Sequence, residues 1–145
     1  MNAALELGQW ERQRNGFVQL LGLRLESVEP GAVRMRLPCA PHVLNGAGMI
    51  HGGAIVSLCD AAFWAALASV YGTEQPTATA ALSCSFLRPA VPPHDLLADA
   101  VVLKRGQRIV YGEVRATSDG LFVAHATLSF VNTPLADTTQ RGPRL

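Results

Sequence analysis

The chain has 145 residues, the length of one ordinary domain. Lys plus Arg is 12 and Asp plus Glu is 11; the resulting charge of +1 excludes a nucleic-acid binder that works by bulk charge. With 49% apolar and 16% charged residues, disorder is excluded for most of the chain. A mean hydropathy of +0.21 in so short a chain points to apolar surface covered by a partner subunit. Cys39, Cys59 and Cys84 are an odd number without CxxC or His-linked spacing, which argues against zinc or a disulfide framework and for a reducing cytoplasm.

The first residues carry Glu6, Glu11, Arg12 and Arg14 before any apolar run, so no signal peptide is expected. Residues 3–21 predict an amphipathic helix with Leu5, Trp10, Phe17 and Leu20 on one face, weakened by Gly8 and Gly16. Leu23–Glu29 and Ala32–Leu37 alternate around Pro30-Gly31 and predict a hairpin. Residues 38–53 are rich in Pro, Gly and Asn and predict a loop. Ala54–Val70 has no Gly or Pro and is apolar all round, apart from Ser57, Asp60 and Ser69. It predicts a helix buried on every side, its central carboxylate arguing against a membrane span. Strands follow at Thr77–Leu87, Leu96–Leu103, Ile109–Thr117 and Leu121–Val131, the last two joined by a Ser118-Asp119-Gly120 turn. Residues 134–145 predict a loose tail. The order implies one α+β domain over 1–145, a long helix covered by an antiparallel sheet.

The densest segment for chemistry is LNGAGMIHGGAIVSLCD, Leu44–Asp60. The first turn of a helix leaves backbone N–H groups without internal partners, and the dipole adds partial positive charge. Gly52 and Gly53 let a ligand approach those groups closely, and His51 can cap the helix or bond to the ligand. Asp60 is the one residue between His51 and Glu74 whose side chain ordinarily carries a charge at neutral pH. An unpaired buried carboxylate is costly, so it is either functional or relieved by a solvent window or by Arg88 or Arg105. It lies eight residues beyond Gly52, roughly 12 Å along a helix. A carbonyl bound at the Gly52 N–H therefore cannot reach Asp60 of the same helix. Either the two groups do unrelated work, or a two-fold dimer brings Gly52 of one chain to Asp60 of another.

Asn45, His51-Gly52-Gly53 and Asp60 at this spacing resemble the signature of hotdog-fold acyl-CoA thioesterases, in the PaaI-like (phenylacetate-pathway and 4-hydroxybenzoyl-CoA thioesterase) branch. ALSCSFLRPA at Ala81–Ala90 and the final DGLFVAHATLSFV resemble strands of the same group, and the resemblance runs over about residues 15–132. It implies a long helix wrapped by a curved sheet, a homodimer as the minimal active unit, a homotetramer as the usual assembly, and no cofactor. It further implies that the Gly52 N–H polarises the thioester carbonyl, that His51 and Asn45 orient the loop, and that Asp60 of the partner is nucleophile or general base. A Ser or Thr on the next strand helps place the water; counting back from Pro89 gives Thr79, with Thr77 as its neighbour.

Thioester hydrolysis suits such groups. The oxyanion needs a preorganised donor, and the CoA thiolate leaves without a strong acid. Phe63, Trp64 and Leu67, one or two turns beyond Asp60, are candidates to line an acyl pocket and would favour aryl or medium-chain groups over acetyl. Arg88 and the K-R-G-Q-R cluster (Lys104, Arg105, Arg108) are candidates for the CoA phosphates, against the plainer role of solvated charges. His42, His94 and His125 have no ligand spacing and suit structural or surface roles, so no metal is expected. The competing readings are an acyl-CoA-binding hotdog protein without catalysis, against which Asp60 stands, and a hotdog dehydratase or hydratase, whose motifs are absent.

Overall fold

The computed structural model describes residues 6–9 and 16–133. Residues 6–9 are helical, and helix α1 spans Gly16–Leu21. The expected helix over 3–21 is therefore borne out only in these two stretches; its residues 3–5 and 10–15, Trp10 included, and the expected tail at 134–145 lie outside the described residues. Strands β1 (Arg24–Glu29) and β2 (Ala32–Leu37) form the hairpin at Pro30-Gly31, where Gly31 takes a φ of +79°. A short 3-10 turn at Pro41–Val43 and a Leu44–Ile50 bridge give the long loop internal structure. Helix α2 (Gly52–Tyr71) follows, then β3 (Thr77–Phe86), β4 (Leu96–Arg105), β5 (Ile109–Ser118) and β6 (Leu121–Asn132). The strand ends fall within two residues of those expected.

All strand pairs are antiparallel, in the order β1-β2-β4-β5-β6-β3. One face of the sheet wraps α2. Small residues make the close approach possible: Ala98, Ala100, Ala116, Ala124 and Ala126 on the strands meet Ala54, Ala62, Ala65 and Ala66 of the helix, all buried. Gly112 of β5 leaves a hole that the Phe63 ring fills; a Cβ there would lie 2.3 Å from Phe63 Cε2. Helix α2 is long and apolar enough to cross a membrane by length and composition, and 56% of its most apolar stretch is buried inside the fold.

Two features matter for function. The helix is not buried on every side: Gly53 is exposed, and Val56, Ser57, Asp60, Ala61 and Trp64 are only partly covered, a stripe at helical spacing. Strand β3 is an edge. Among the described residues it pairs with β6 alone, and seven of its ten residues are exposed.

Candidate active site

The loop before α2 is organised by Asn45. Its Oδ1 accepts hydrogen bonds from the Ala47 and Met49 N–H groups at 2.9 and 3.1 Å, and its own N–H donates to Met49 O at 2.7 Å. The carboxamide nitrogen remains available to a ligand. The Ile50 N–H donates to Ala90 O beyond β3, and the His51 N–H donates to Val43 O, so the loop is tied at both sides before the helix begins.

His51 is the helix N-cap. Its Nδ1 accepts from the Gly53 N–H at 2.8 Å, so in the neutral ring the proton sits on Nε2. The Gly52 N–H has no acceptor among the described residues, which leaves a helix-terminal donor free for a carbonyl oxygen. The Phe86 ring, at the end of β3, lies across Gly52; a Cβ there would stand 3.4 Å from Phe86 Cζ.

Asp60 sits two turns further along the exposed stripe. Thr79 Oγ1 donates to its Oδ1 at 2.8 Å. Burial pushes the Asp60 carboxyl above the ordinary aspartate range, and the Thr79 hydrogen bond opposes that shift. Neither arginine considered as a partner reaches it: Arg88 Nη1 donates to Phe122 O, and the Arg105 guanidinium lies by Pro30 and Gly31. A β-bulge in β3, between Thr79 and Ala81, explains how the strand presents both Thr79 and Leu82 to the helix although they are three residues apart. Thr77 lines the same cavity.

That cavity, about 550 Å³, runs along α2 beside Asp60. Ser57, Asp60, Thr77 and Thr79 supply its polar side chains, and Ser57 Oγ is already committed to Gly53 O. Trp64, Leu82, Met35 and Phe130 contribute apolar wall. The last three had no signal in the local sequence around the motif, because chain folding alone brings them there. Phe86 is another omission, since nothing in the sequence places it across Gly52. A shallower groove of about 300 Å³ beside the helix start holds His42, His51 and Gly53, so His42 lies nearer the motif than its isolation in sequence implies.

Phe63 and Leu67 do not line the cavity. Both are buried in the core, Phe63 edge-on to Phe130 at 5.2 Å between centroids. They fall on the sheet side of the helix; Trp64, one turn after Asp60, is the aromatic on the cavity side. The basic residues do not form one rim within a chain either. Arg88 follows β3 near the loop that starts α2, whereas Lys104 and Arg105 end β4 and Arg108 lies in the β4–β5 turn. That turn is tied to the other end of α2 by Tyr71 Oη donating to Gly106 O at 3.0 Å. A helix of twenty residues separates the two groups by roughly 30 Å. His125 Nε2 pairs with Glu113 at 2.8 Å, and His94 faces Asp119 at 3.5 Å; neither lines the cavity.

The thioesterase superfamily pattern matches residues 47–123, more than half of the chain and all of the helix that carries Gly52 and Asp60. The chain belongs to that family. A Halobacterium salinarum protein named provisionally as an esterase is 33% identical over 105 residues, 69% of this chain and 68% of its own length. The PaaI protein of the Escherichia coli phenylacetic acid degradation operon superposes with a TM-score of 0.83 at 22% identity, covering 92% of this chain and 94% of that one. A Thermus thermophilus phenylacetic acid degradation protein PaaI, in a mutant form, gives 0.76 at 25% identity, covering 82% and 100%. The fold is the hotdog fold, and the protein is a PaaI-like thioester hydrolase.

Proposed function

We propose that this thioesterase hydrolyses acyl-CoA to free acid and CoA, preferring aryl or medium-chain acyl groups, at a site shared between two subunits. The observation that carries the reading is a half-buried carboxylate, Asp60, held by Thr79 beside a largely apolar cavity. The thioester carbonyl binds the free Gly52 N–H, where the helix terminus stabilises the oxyanion by on the order of 3 kcal/mol. Asn45 and His51 hold the loop that presents this donor. Asp60 then either takes the proton from an attacking water or attacks the carbonyl itself; CoA departs as thiolate, and in the second route a water hydrolyses the resulting mixed anhydride to release the acid and restore Asp60.

The sharing follows from distance. Gly52 and Asp60 of one helix are roughly 12 Å apart along its axis, too far for one carbonyl. The β3 edge offers the means: the outward-pointing backbone groups of a ten-residue edge strand are a template for the same strand of a second copy, and Asp60 borders that edge. A two-fold pairing there presents Gly52 of each copy to Asp60 and Thr79 of the other. A cytoplasmic homotetramer built from two such dimers is the expected setting, in keeping with three free thiols. The CoA phosphates meet either Arg88 or the Lys104–Arg108 turn; Gly53 and Trp64 complete the substrate contacts.

The test is a panel of acetyl-, hexanoyl-, octanoyl- and phenylacetyl-CoA followed with a thiol-detecting reagent. Release of CoA from hexanoyl- or phenylacetyl-CoA, with kcat/KM at least about tenfold above acetyl-CoA, is expected. Equal rates for acetyl-CoA would remove the acyl preference, and no thiol release from any member would remove the acyl-CoA reading.

A further inference from the structure

The cavity beside Asp60 has one wall built by the segment ahead of β1. Leu7, Phe17 and Val18 line it. Leu7 is 2% exposed, although the chain around it is polar: Glu6 and Gln9 flank it closely. Its side chain is thus shared between the core and the cavity lining. Phe17 is the opposite case, an aromatic 59% exposed at the margin of the same cavity. Helix α1, which carries Phe17 and Val18, has six residues, too few to be stable alone, so its place depends on what its apolar side rests upon. Val18 and Leu21 pack on the core cluster, and backbone bonds from Gly22 to Gln19 O and from Leu23 to Val18 O close its end.

Asp60 and Thr79 line the same cavity. Its polar side chains all come from α2 and β3, and the N-terminal residues add only hydrocarbon. An acyl chain whose carbonyl is held at the reacting groups extends toward the N-terminal wall. We propose that Leu7 and Val18 are specificity-determining residues that set the longest acyl group the enzyme accepts. The inference rests on the acyl-CoA hydrolysis proposed above and adds where the limit on chain length resides. One methylene in an apolar pocket changes specificity by about tenfold or more. Removing the isopropyl end of Leu7 opens room for additional carbons, and enlarging Val18 takes room away.

The experiment measures kcat/KM for hexanoyl-, octanoyl- and decanoyl-CoA in the full-length wild type, Leu7→Ala, Val18→Ala and Val18→Trp, with acetyl-CoA as a reference too short to reach the wall. In Leu7→Ala and Val18→Ala the decanoyl-to-hexanoyl ratio is expected to rise about tenfold, and in Val18→Trp to fall by a similar factor, with acetyl-CoA changed by less than about threefold. The Val18 pair keeps the test open if Leu7→Ala fails to fold, since Val18 is only partly buried. Ratios unchanged within about twofold in folded variants, while the wild type hydrolyses the series, overturn the wall assignment and leave the proposed function standing. Absence of hydrolysis of every acyl-CoA by the wild type overturns both.

Discussion

Thr79 Oγ1 donates a 2.8 Å hydrogen bond to Asp60 Oδ1, joining the edge strand β3 to the middle of helix α2. The bond favours the ionised carboxylate, while burial favours the protonated one and is the larger influence. In the proposed reaction, Thr79 therefore both positions the Asp60 carboxyl and adjusts the pH at which it ionises.

Removing the bond should show in the pH profile. In Thr79→Val the Asp60 carboxyl rises further, because the hydrogen bond that holds it down is gone. The acid limb of kcat/KM, which reports the free enzyme, should move to higher pH, and Thr79→Ser should restore it. A limb that stays in place in Thr79→Val, with activity lowered at all pH values alike, would mean that Thr79 does not tune Asp60.

Asp60 should also weaken the fold at neutral pH. Its folded-state pKa lies above the ordinary 3.8. A raised acid binds more protons in the native state, so its favourable contribution is complete below the unfolded pKa and is lost as pH rises through the folded one. Asp60→Asn, which carries no charge, should raise Tm at pH 7 relative to wild type, with the difference vanishing near pH 3. A Tm advantage that persists at pH 3 would assign the effect to something other than burial of charge.

Much of this was legible in the sequence, and the gaps have physical causes. The strands could be placed because their alternation and turn residues are local, and α2 because its Ala- and Leu-rich run has no breaker. Asp60 stood out as a lone charge in an apolar helix, and His51 and the glycines as a helix start. What periodicity could not resolve was direction. A helix apolar all round gives no sign of which face meets the sheet, so Phe63 and Trp64 were equal candidates for the cavity. Gly112 decides between them by accepting the Phe63 ring, a match between residues far apart in the chain. The basic residues were grouped by charge, although α2 holds Arg88 and the Lys104–Arg108 turn apart. Thr79 required counting through a strand that contains a bulge.

For the proposed acyl-CoA substrate, the separation of the basic groups makes the phosphate contact a choice between two places. Arg88→Ala and the double variant Lys104→Ala/Arg108→Ala should differ: one should raise KM about fivefold or more with kcat unchanged, since exposed charge binds ground and transition states alike. That increase should shrink at high salt. Unchanged KM in both variants would show that neither group meets the phosphates.

The proposed sharing of the site between subunits predicts complementation. Chains carrying Asp60→Ala and chains carrying Gly52→Val are each expected to be inactive. Co-expressed with two affinity tags and purified as mixed dimers, they should regain about half the wild-type kcat, because each mixed dimer contains one site with both the Gly52 donor and Asp60 intact. Mixed dimers that remain as inactive as their parents would place both groups outside a common site.

Asp60 carries the chemistry in the proposed reaction, and the most direct measurement is kcat for hexanoyl- and phenylacetyl-CoA in Asp60→Asn, with folding confirmed by circular dichroism. The expected result is a fall of about a hundredfold or more, roughly 2.8 kcal/mol of barrier, with Tm at pH 7 equal to or above wild type. A folded Asp60→Asn enzyme that retains more than about a tenth of wild-type kcat would contradict that role.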